Sequence, residues 1–458
     1  MNPRPREPLA WQRLLAVAGP ALYFAGLGAA SLLDGQPFWE TDCFNPAVAA
    51  HLAPGRAAVA VVMAAGAVVL LVVVPWLLGL LALRRFDRWR RTAGAWSLAA
   101  NTLALILVLL ALRHTAGISR ASFLYGWSVW TLILVGLAGE PTSSLEQIRS
   151  LRRRWGLAML VGLATLVTAA GLFYPEHFLQ CFEGDGIESY ELARSLREHF
   201  LPYWEIEWIG QFGSAVVNPV VIDSYWACAL QTLLGDGELA TRLPFWLWRL
   251  GMFAALLAMV RRNDSAPGLL TSVPLALFVF LGVLWNTFDV GWDGYVTEPV
   301  SPGAIDACFT LFLLLAFECL RQEDLAGWVV MMALGSLVLY AGPVMFVLTA
   351  AAGLLWQPVA RARMAKAVLA GLAVASAIAL FYLTWGWLEG SLPGWWATID
   401  GEYVDKVTRP LPRWPASILY AGYFLLGCGL VPIIGLLRPF QGSRHAPRAV
   451  RPSSRHTP

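Results

Sequence analysis

Apolar segments of about 20 residues alternate with short polar segments along most of the chain. A helix needs about 20 consecutive apolar residues to cross the hydrocarbon core of a bilayer. The pattern therefore predicts an all-α polytopic membrane protein with about twelve transmembrane helices. The predicted spans are residues 13–33, 57–83, 93–112, 122–138, 155–173, 243–260, 267–287, 304–320, 326–341, 342–356, 366–386 and 416–437.

The composition agrees with this pattern. Of the 458 residues, 58% are hydrophobic and 14% are charged, whereas soluble domains are typically about 45–50% apolar and about 25% charged. The net charge of +3 is too small to indicate a nucleic-acid partner. The 22 tryptophans are typical of side chains that anchor a protein at the membrane–water interface.

Lysine and arginine are distributed unevenly between the polar segments. If the N-terminus lies inside, most of the 33 basic residues fall in inner segments. Cytoplasmic loops are enriched in these residues, so we expect both termini to be cytoplasmic. The Ala-, Leu- and Arg-rich composition indicates a GC-rich bacterium, and hence an inner membrane whose outer face is periplasmic.

The spans and loops divide the chain into three parts. Residues 1–154 form an N-terminal block of four predicted helices. Residues 155–437 hold the remaining spans and two long outer loops, at 174–242 and 387–415. Residues 438–458 form a basic tail that is predicted to be disordered and cytoplasmic.

The first long outer loop contains two amphipathic segments. Residues 187–201 are predicted to form a helix, because apolar residues recur on one face at helical spacing. The segment VVIDSYWACALQTLLG, which starts at Val220, has a similar register. We expect both helices to lie on the membrane surface with their apolar faces down, as a lid over the helical bundle.

Two carboxylates stand at the start of the first of these helices. Asp185 and Glu188 have the spacing of a capping box, in which the first residue caps the helix and the second bonds back to it. A carboxylate at the membrane–water boundary can also act as a general base toward a hydroxyl. It can equally help to hold a divalent cation against a phosphate. The residues alone leave these interpretations open.

Several motifs follow one another on the predicted outer side. They are ESYELAR from Glu188 to Arg194, the stretch from Pro219 to Trp226, GDGELATRLP from Gly235 to Pro244, Asp306 ahead of an apolar segment, and Arg409-Pro410 ahead of a helix that ends near Pro432. In this order they resemble the GT-C fold glycosyltransferases, in the bacterial branch related to protein O-mannosyltransferases and aminoarabinose transferases. The resemblance covers residues 155–437. Residues 1–154 lie outside it, and the acidic loop follows the fifth predicted helix here instead of the first.

The resemblance implies a membrane glycosyltransferase. Such an enzyme moves a sugar from a polyprenyl-phosphate lipid to an acceptor hydroxyl on the outer face, with inversion. Either Glu188 or Asp185 would be the general base. Asp306 would orient that base or a cation, or cap the helix that it begins. Partners for the donor are expected among Arg409, Arg242, Lys406 and Tyr190. The sugar is not specified, and the acceptor stays open between a lipid, a glycan and a protein.

Two other classes of protein fit the same pattern. A transporter would carry ionisable residues near the middle of the bilayer, whereas the central parts of the predicted helices are almost free of charge. A catalytically silent membrane scaffold would keep the fold without the chemistry. Cys43 and Cys181 lie on the same predicted outer side, where they either pair in a disulfide or stay free.

Overall fold

Helices form almost all of the regular structure in the described part of the chain. The computed structural model describes residues 21–29, 32, 54–138 except 85 and 87, 185–199, 203–204, 216–217, 221–261 except 237, 302–338 and 361–388. Residues 21–29 are helical. The other helices are α1 (Pro54–Val68), α2 (Val74–Leu83), α3 (Ala93–Thr115), α4 (Arg120–Ala138), α5 (Asp185–Ser195), α6 (Val221–Leu234), α7 (Glu238–Arg261), α8 (Pro302–Arg321), α9 (Leu325–Ser336) and α10 (Arg361–Leu388). All of these residues belong to the first of two compact units, residues 1–410, and the predicted tail at 438–458 lies outside the described residues.

Four helical segments in this part of the chain are long and apolar enough to cross a membrane. They are Val62–Leu83, Ala93–Thr115, Arg120–Ala138 and Ala362–Phe381. These segments confirm the predicted spans 57–83, 93–112, 122–138 and 366–386 as membrane-compatible helices. The predicted spans 243–260 and 304–320 fall within α7 and α8, and the predicted span 326–341 overlaps α9 as far as Ser336. These three helices are not among the four membrane-compatible segments. The predicted spans 155–173, 267–287, 342–356 and 416–437 lie outside the described residues.

A proline accounts for a wider turn between α1 and α2. Residues Val69–Val73 form a π-helical turn, and Pro75 follows at the start of α2. Proline has no backbone N–H, and its ring crowds the carbonyl four residues earlier, which here belongs to Leu71. A widened turn accommodates this crowding, so α1 and α2 continue as one membrane-compatible segment.

Helix α6 lies at the centre of the described bundle. Every side chain from Ile222 to Leu234 is buried, including the polar side chains of Asp223, Gln231 and Thr232. The helix contacts α1, α3 and α4 as well as α5, α7 and α8. The prediction that this segment lies on the membrane surface is therefore wrong, because a helix buried on all sides has no face left for that surface. Its polar residues face protein partners instead.

The N-terminal helices pack directly against the later ones. The Tyr23 hydroxyl donates a hydrogen bond to the Leu233 carbonyl at 2.6 Å. A Cβ at Gly66 would lie 2.5 Å from the backbone nitrogen of Tyr23, so glycine permits the close approach of residues 21–29 to α1. Helix α3 also contacts α9. The described part of the N-terminal block therefore shares a core with the later helices.

Helices α8 and α9 form a tight hairpin. The Glu323 amide donates to the Leu320 carbonyl at 3.0 Å, and the Asp324 amide donates to the Cys319 carbonyl at 2.9 Å. This pair of bonds is the Schellman motif of helix C-termini. Glu323 has a φ of 58°, a left-handed conformation that glycine usually occupies at this position. Asp324 then caps α9, because its Oδ1 accepts from the Gly327 amide at 3.0 Å.

A short strand pair lies between α5 and α6 in the sequence. Strands β1 (Tyr203–Trp204) and β2 (Val216–Val217) are antiparallel, with Tyr203 opposite Val217. Helix α5 contacts β1. The all-α prediction did not include these two strands, which are the β structure found within the described residues.

Candidate functional site

The two candidate bases lie at the start of α5. The helix begins at Asp185, so both Asp185 and Glu188 fall in its first turn. The predicted helix 187–201 overlaps most of α5 but starts two residues later and ends six residues later than the observed helix. Negative charge is favourable at a helix N-terminus because of the helix dipole. The side chains of both residues lie outside the described part, so the capping box and the catalytic role stay predictions.

The apolar face of α5 packs on protein. Leu192, Ala193 and Leu196 are at most 3% exposed, and α5 contacts α6 and α7. The polar side chains of Arg194 and Glu198 are exposed. The prediction that this apolar face rests on the membrane is therefore corrected: it is buried against the helical bundle.

Gln231 connects α5 and α7 to α6. Its side chain is 1% exposed. The Gln231 Nε2 donates to Thr241 Oγ1 at 2.8 Å and to the Tyr190 carbonyl at 3.4 Å. Gln231 thus joins the Tyr190 backbone to Thr241, the residue that directly precedes Arg242 on α7. The Arg242 side chain lies outside the described part, so its role toward the donor stays a prediction.

Arg197 and Asp236 hold the far end of α5. Arg197, in the turn after α5, donates from Nη1 to Asp236 Oδ2 at 2.9 Å and from Nη2 to Asp236 Oδ1. The two side chains are 27% and 31% exposed. A two-pronged arginine–carboxylate pair fixes orientation as well as distance. It joins the end of α5 to the connection between α6 and α7.

Tyr190 is half-buried beside this ion pair. Burial, and then the nearby Asp236 carboxylate, raise the pKa of Tyr190 above its usual value. The phenol therefore stays protonated at neutral pH and can donate a hydrogen bond.

The remaining predicted site residues are placed only in part. Asp306 lies in α8, which begins at Pro302 and has no acidic residue in its first turn. The capping role predicted for Asp306 is therefore wrong, while its role toward a base or cation stays a prediction. Arg409 and Lys406 lie outside the described residues, as do Cys43 and Cys181.

Asp223 is a buried carboxyl that the sequence interpretation did not single out. It lies in the first turn of α6, is 7% exposed, and its Oδ1 accepts from Trp248 Nε1 at 2.6 Å. Burial raises the pKa of Asp223 to about 6, and the bond from Trp248 opposes this rise. A carboxyl with a pKa near neutrality can exchange a proton at physiological pH. The sequence signal that could have identified Asp223 was its place as the single acidic residue in an apolar helix. A carboxyl buried at such a position requires a hydrogen-bond partner.

Two arginines, on α3 and α7, add positive charge to the bundle around α6. Arg113 lies in the last turn of α3. Burial raises the pKa of Tyr225 on α6, and the charge of Arg113 opposes this rise. Arg249 on α7 is 1% exposed. The N-terminal block thus contributes one of the cations near α6.

The described residues do not contain a group of three His, Cys, Asp or Glu side chains that could hold a metal ion. A divalent cation at the first turn of α5 stays a hypothesis.

No family model matches the chain, and no match was found among curated proteins or solved structures. The functional argument therefore depends on the residues and geometry described above.

Proposed function

We propose that this chain is a membrane glycosyltransferase with a GT-C-like fold. It transfers a sugar from a polyprenyl-phosphate donor to an acceptor hydroxyl at the outer membrane face. The observation that best supports this proposal is the position of Asp185 and Glu188 in the first turn of α5, a helix attached to the bundle through Gln231 and Arg197. A helix fixed in this way presents its first-turn carboxylates at a defined position, which a general base requires.

The proposed reaction is a single displacement. The acceptor hydroxyl oxygen attacks the anomeric carbon while the bond from that carbon to the phosphate oxygen breaks. Glu188, or else Asp185, takes the hydroxyl proton, and the polyprenyl phosphate leaves with the bonding electron pair. The configuration at the anomeric carbon is inverted.

The leaving phosphate needs positive partners at the membrane surface. Arg242, Arg409 and Lys406 are proposed for this role, since fixed cations stabilise the charge that develops on the leaving group. Tyr190, which is protonated at neutral pH, is proposed to donate to the sugar or the phosphate. Asp306 is proposed to orient the base.

The proposal includes twelve spans, cytoplasmic termini and an active site on the periplasmic side of an inner membrane. Helix α3 supports this arrangement. Thr92, just before α3, bonds to Asp324 in the predicted inner segments, while Arg113 in its last turn acts on Tyr225 of α6. With 23 residues, α3 is about 35 Å long. The predicted inner segments and the α6 residues near Arg113 are therefore separated by about the thickness of a bilayer core.

A proton-coupled transporter is the second candidate. It is favoured by the buried Asp223, whose pKa is raised to about 6, and by the buried Arg249. Ionisable residues inside a helical bundle are characteristic of proton and substrate pathways. A transporter would not transfer sugar, so one assay separates the two candidates.

The assay is glycosyl transfer by the purified full chain in proteoliposomes, with radiolabelled polyprenyl-phosphate sugars and a panel of lipid, glycan and protein acceptors. Glu188→Gln keeps the shape of the side chain and removes the proton acceptor. We expect turnover to fall by about 10²–10⁴-fold. Folding should persist, because glutamine also serves in a capping box.

Glu191→Gln is the matched control on the same helix. Glu191 lies 3.9 Å from Arg194, and the two side chains are 41% and 55% exposed. Such a pair contributes little to stability, so this variant should keep full turnover. If Asp185→Asn alone abolishes transfer, Asp185 is the base. If neither variant lowers transfer, the carboxylates are structural and the proposed site is wrong.

A further inference from the structure

Three polar segments meet around a pocket at one end of the described bundle. The pocket has a volume of about 210 Å³ and is lined in part by Arg88, Gln322, Glu323, Asp324 and Arg363. We call it the Arg88 pocket. Its walls come from the turn before α3, the α8–α9 turn and the start of α10. All three segments are predicted to be cytoplasmic.

Two hydrogen bonds and an exposed ion pair connect these segments. Arg91 Nη1 donates to Gln322 Oε1 at 3.4 Å. Thr92 Oγ1 donates to Asp324 Oδ2 at 2.6 Å. On the other side, Arg363 Nη2 lies 3.2 Å from Glu323 Oε2. The α8–α9 turn is thus connected to both neighbouring segments.

The two acidic residues of the pocket are already engaged. The Asp324 carboxylate is 8% exposed and accepts from the side chains of Thr92 and Trp96 and from the Gly327 amide. The side chains of Arg363 and Glu323 are 59% and 53% exposed, so this ion pair is weak and opens readily.

Positive charge dominates the surroundings. Arg88 is exposed and makes no hydrogen bond within the described residues. Segments 84–92, 321–326 and 361–366 together contain nine basic and three acidic residues. The pocket therefore favours an anion, and two arginines on separate walls suit a phosphate in particular.

An uncovered apolar surface adjoins the pocket. Helix α10 starts at Arg361, and only 17% of its segment Ala362–Phe381 is buried. Leu369 and Leu372 on this helix are 66% and 46% exposed. Phe86 and Trp89 stand beside Arg88, with ring centroids 5.3 Å apart, and aromatic side chains of this kind favour the membrane–water interface. A ligand with a phosphate head and apolar chains would match both surfaces.

We propose that the Arg88 pocket binds the phosphate of an anionic glycerophospholipid. Arg88 and Arg363 contact the phosphate, and the acyl chains lie along α10. Basic pockets between membrane helices on the cytoplasmic side recognise such head groups. A soluble phosphate ester shares the phosphate chemistry but would not use α10. This site is independent of the proposed transfer reaction.

The test is lipid binding by the purified full chain in nanodiscs. Phosphatidylglycerol is titrated into phosphatidylcholine discs, and bound lipid is counted by native mass spectrometry. We expect phosphatidylglycerol to bind more tightly than phosphatidylcholine. Arg88→Gln and Arg363→Gln should each weaken this preference by about five-fold, which corresponds to one basic residue at a membrane surface.

Arg90→Gln is the matched control. Arg90 is exposed in the same turn as Arg88, and its substitution removes the same single positive charge. It should leave the preference nearly unchanged. If Arg88→Gln and Arg90→Gln weaken the preference for phosphatidylglycerol equally, the lipid responds to a diffuse surface charge and the proposal is overturned. Absence of any preference for phosphatidylglycerol would also overturn it. If glycerol 1-phosphate added to phosphatidylcholine discs binds as tightly as the lipid, the ligand is a soluble ester and the lipid assignment is wrong.

Discussion

We predict that Asp324→Ala destabilises the folded protein by about 2–4 kcal/mol. The Asp324 carboxylate accepts three hydrogen bonds, from the Gly327 amide at 3.0 Å, from Thr92 Oγ1 at 2.6 Å and from Trp96 Nε1 at 2.7 Å. The residue is 8% exposed, so water does not readily replace the lost acceptor. Alanine would remove the cap of α9 and the two hydrogen bonds that Asp324 accepts from Thr92 and Trp96.

The magnitude follows from these contacts. Loss of a helix N-cap costs about 1 kcal/mol. Thr92 and Trp96 each lose a buried acceptor, at about 1–3 kcal/mol apiece. Removing the buried carboxylate also removes its desolvation penalty, which offsets part of the loss. Contributions within one network do not add, so the total lies below the sum of the separate losses.

The free energy of unfolding can be measured by SDS titration in mixed micelles, with tryptophan fluorescence as the signal. Asp324→Asn should lose about half as much as alanine, because Thr92 and Trp96 donate to Oδ2 and Gly327 donates to Oδ1, whereas asparagine has one acceptor oxygen. Glu323→Ala removes only an exposed ion pair and should cost less than about 1 kcal/mol. If Asp324→Ala costs no more than Glu323→Ala, the hydrogen-bond reasoning is refuted.

Two further predictions concern a strained residue and a buried charge. Glu323→Gly should raise the free energy of unfolding by up to about 1 kcal/mol, because glycine adopts the observed φ of 58° without the cost that other residues incur there; a loss of stability in the same titration would contradict this. Burial raises the pKa of Asp223 from 3.8 to about 6, so its carboxyl binds a proton more tightly in the folded protein. The resulting stabilisation is complete below pH 3.8 and is lost as the pH rises toward 6. Asp223→Asn should therefore stabilise the protein by about 2–3 kcal/mol at pH 8 and hardly at all near pH 4, and equal effects at both pH values would show that the charge is not the cause.

The membrane-compatible helices could be predicted closely because their signal is local. Residues 122–138 were predicted as a span, and the structure has a helix at Arg120–Ala138. In a bilayer every backbone group must bond within its own segment, so an apolar run of sufficient length leaves few alternatives to a helix. The sequence also predicts the helix at 187–201 with Asp185 as its cap, and α5 starts at Asp185 itself, two residues before the predicted start.

The position of α6 could not be predicted in the same way. Periodicity shows that one face of a helix is apolar, but it does not show what the other face meets. In α6 the polar residues have partners distant in sequence: Asp223 bonds to Trp248, and Gln231 bonds to Thr241. The α8–α9 turn was predicted in position, between the spans 304–320 and 326–341, but its conformation was not. Its left-handed position is held by Glu323, so the glycine that usually marks a helix end is missing from the sequence.

The N-terminal block is part of the structure that positions the candidate site. Helix α5 is attached to α6 through Gln231, and α6 is covered by α1, α3 and α4. Without residues 1–154, one side of α6 would lose its packing and the Tyr23 hydroxyl would no longer bond to Leu233. Asp324 would also lose two of the three donors that it uses. The sequence analysis divides the chain at residue 155, but the packing does not divide the described helices there. Any activity that depends on the first turn of α5 must therefore depend on the N-terminal helices as well.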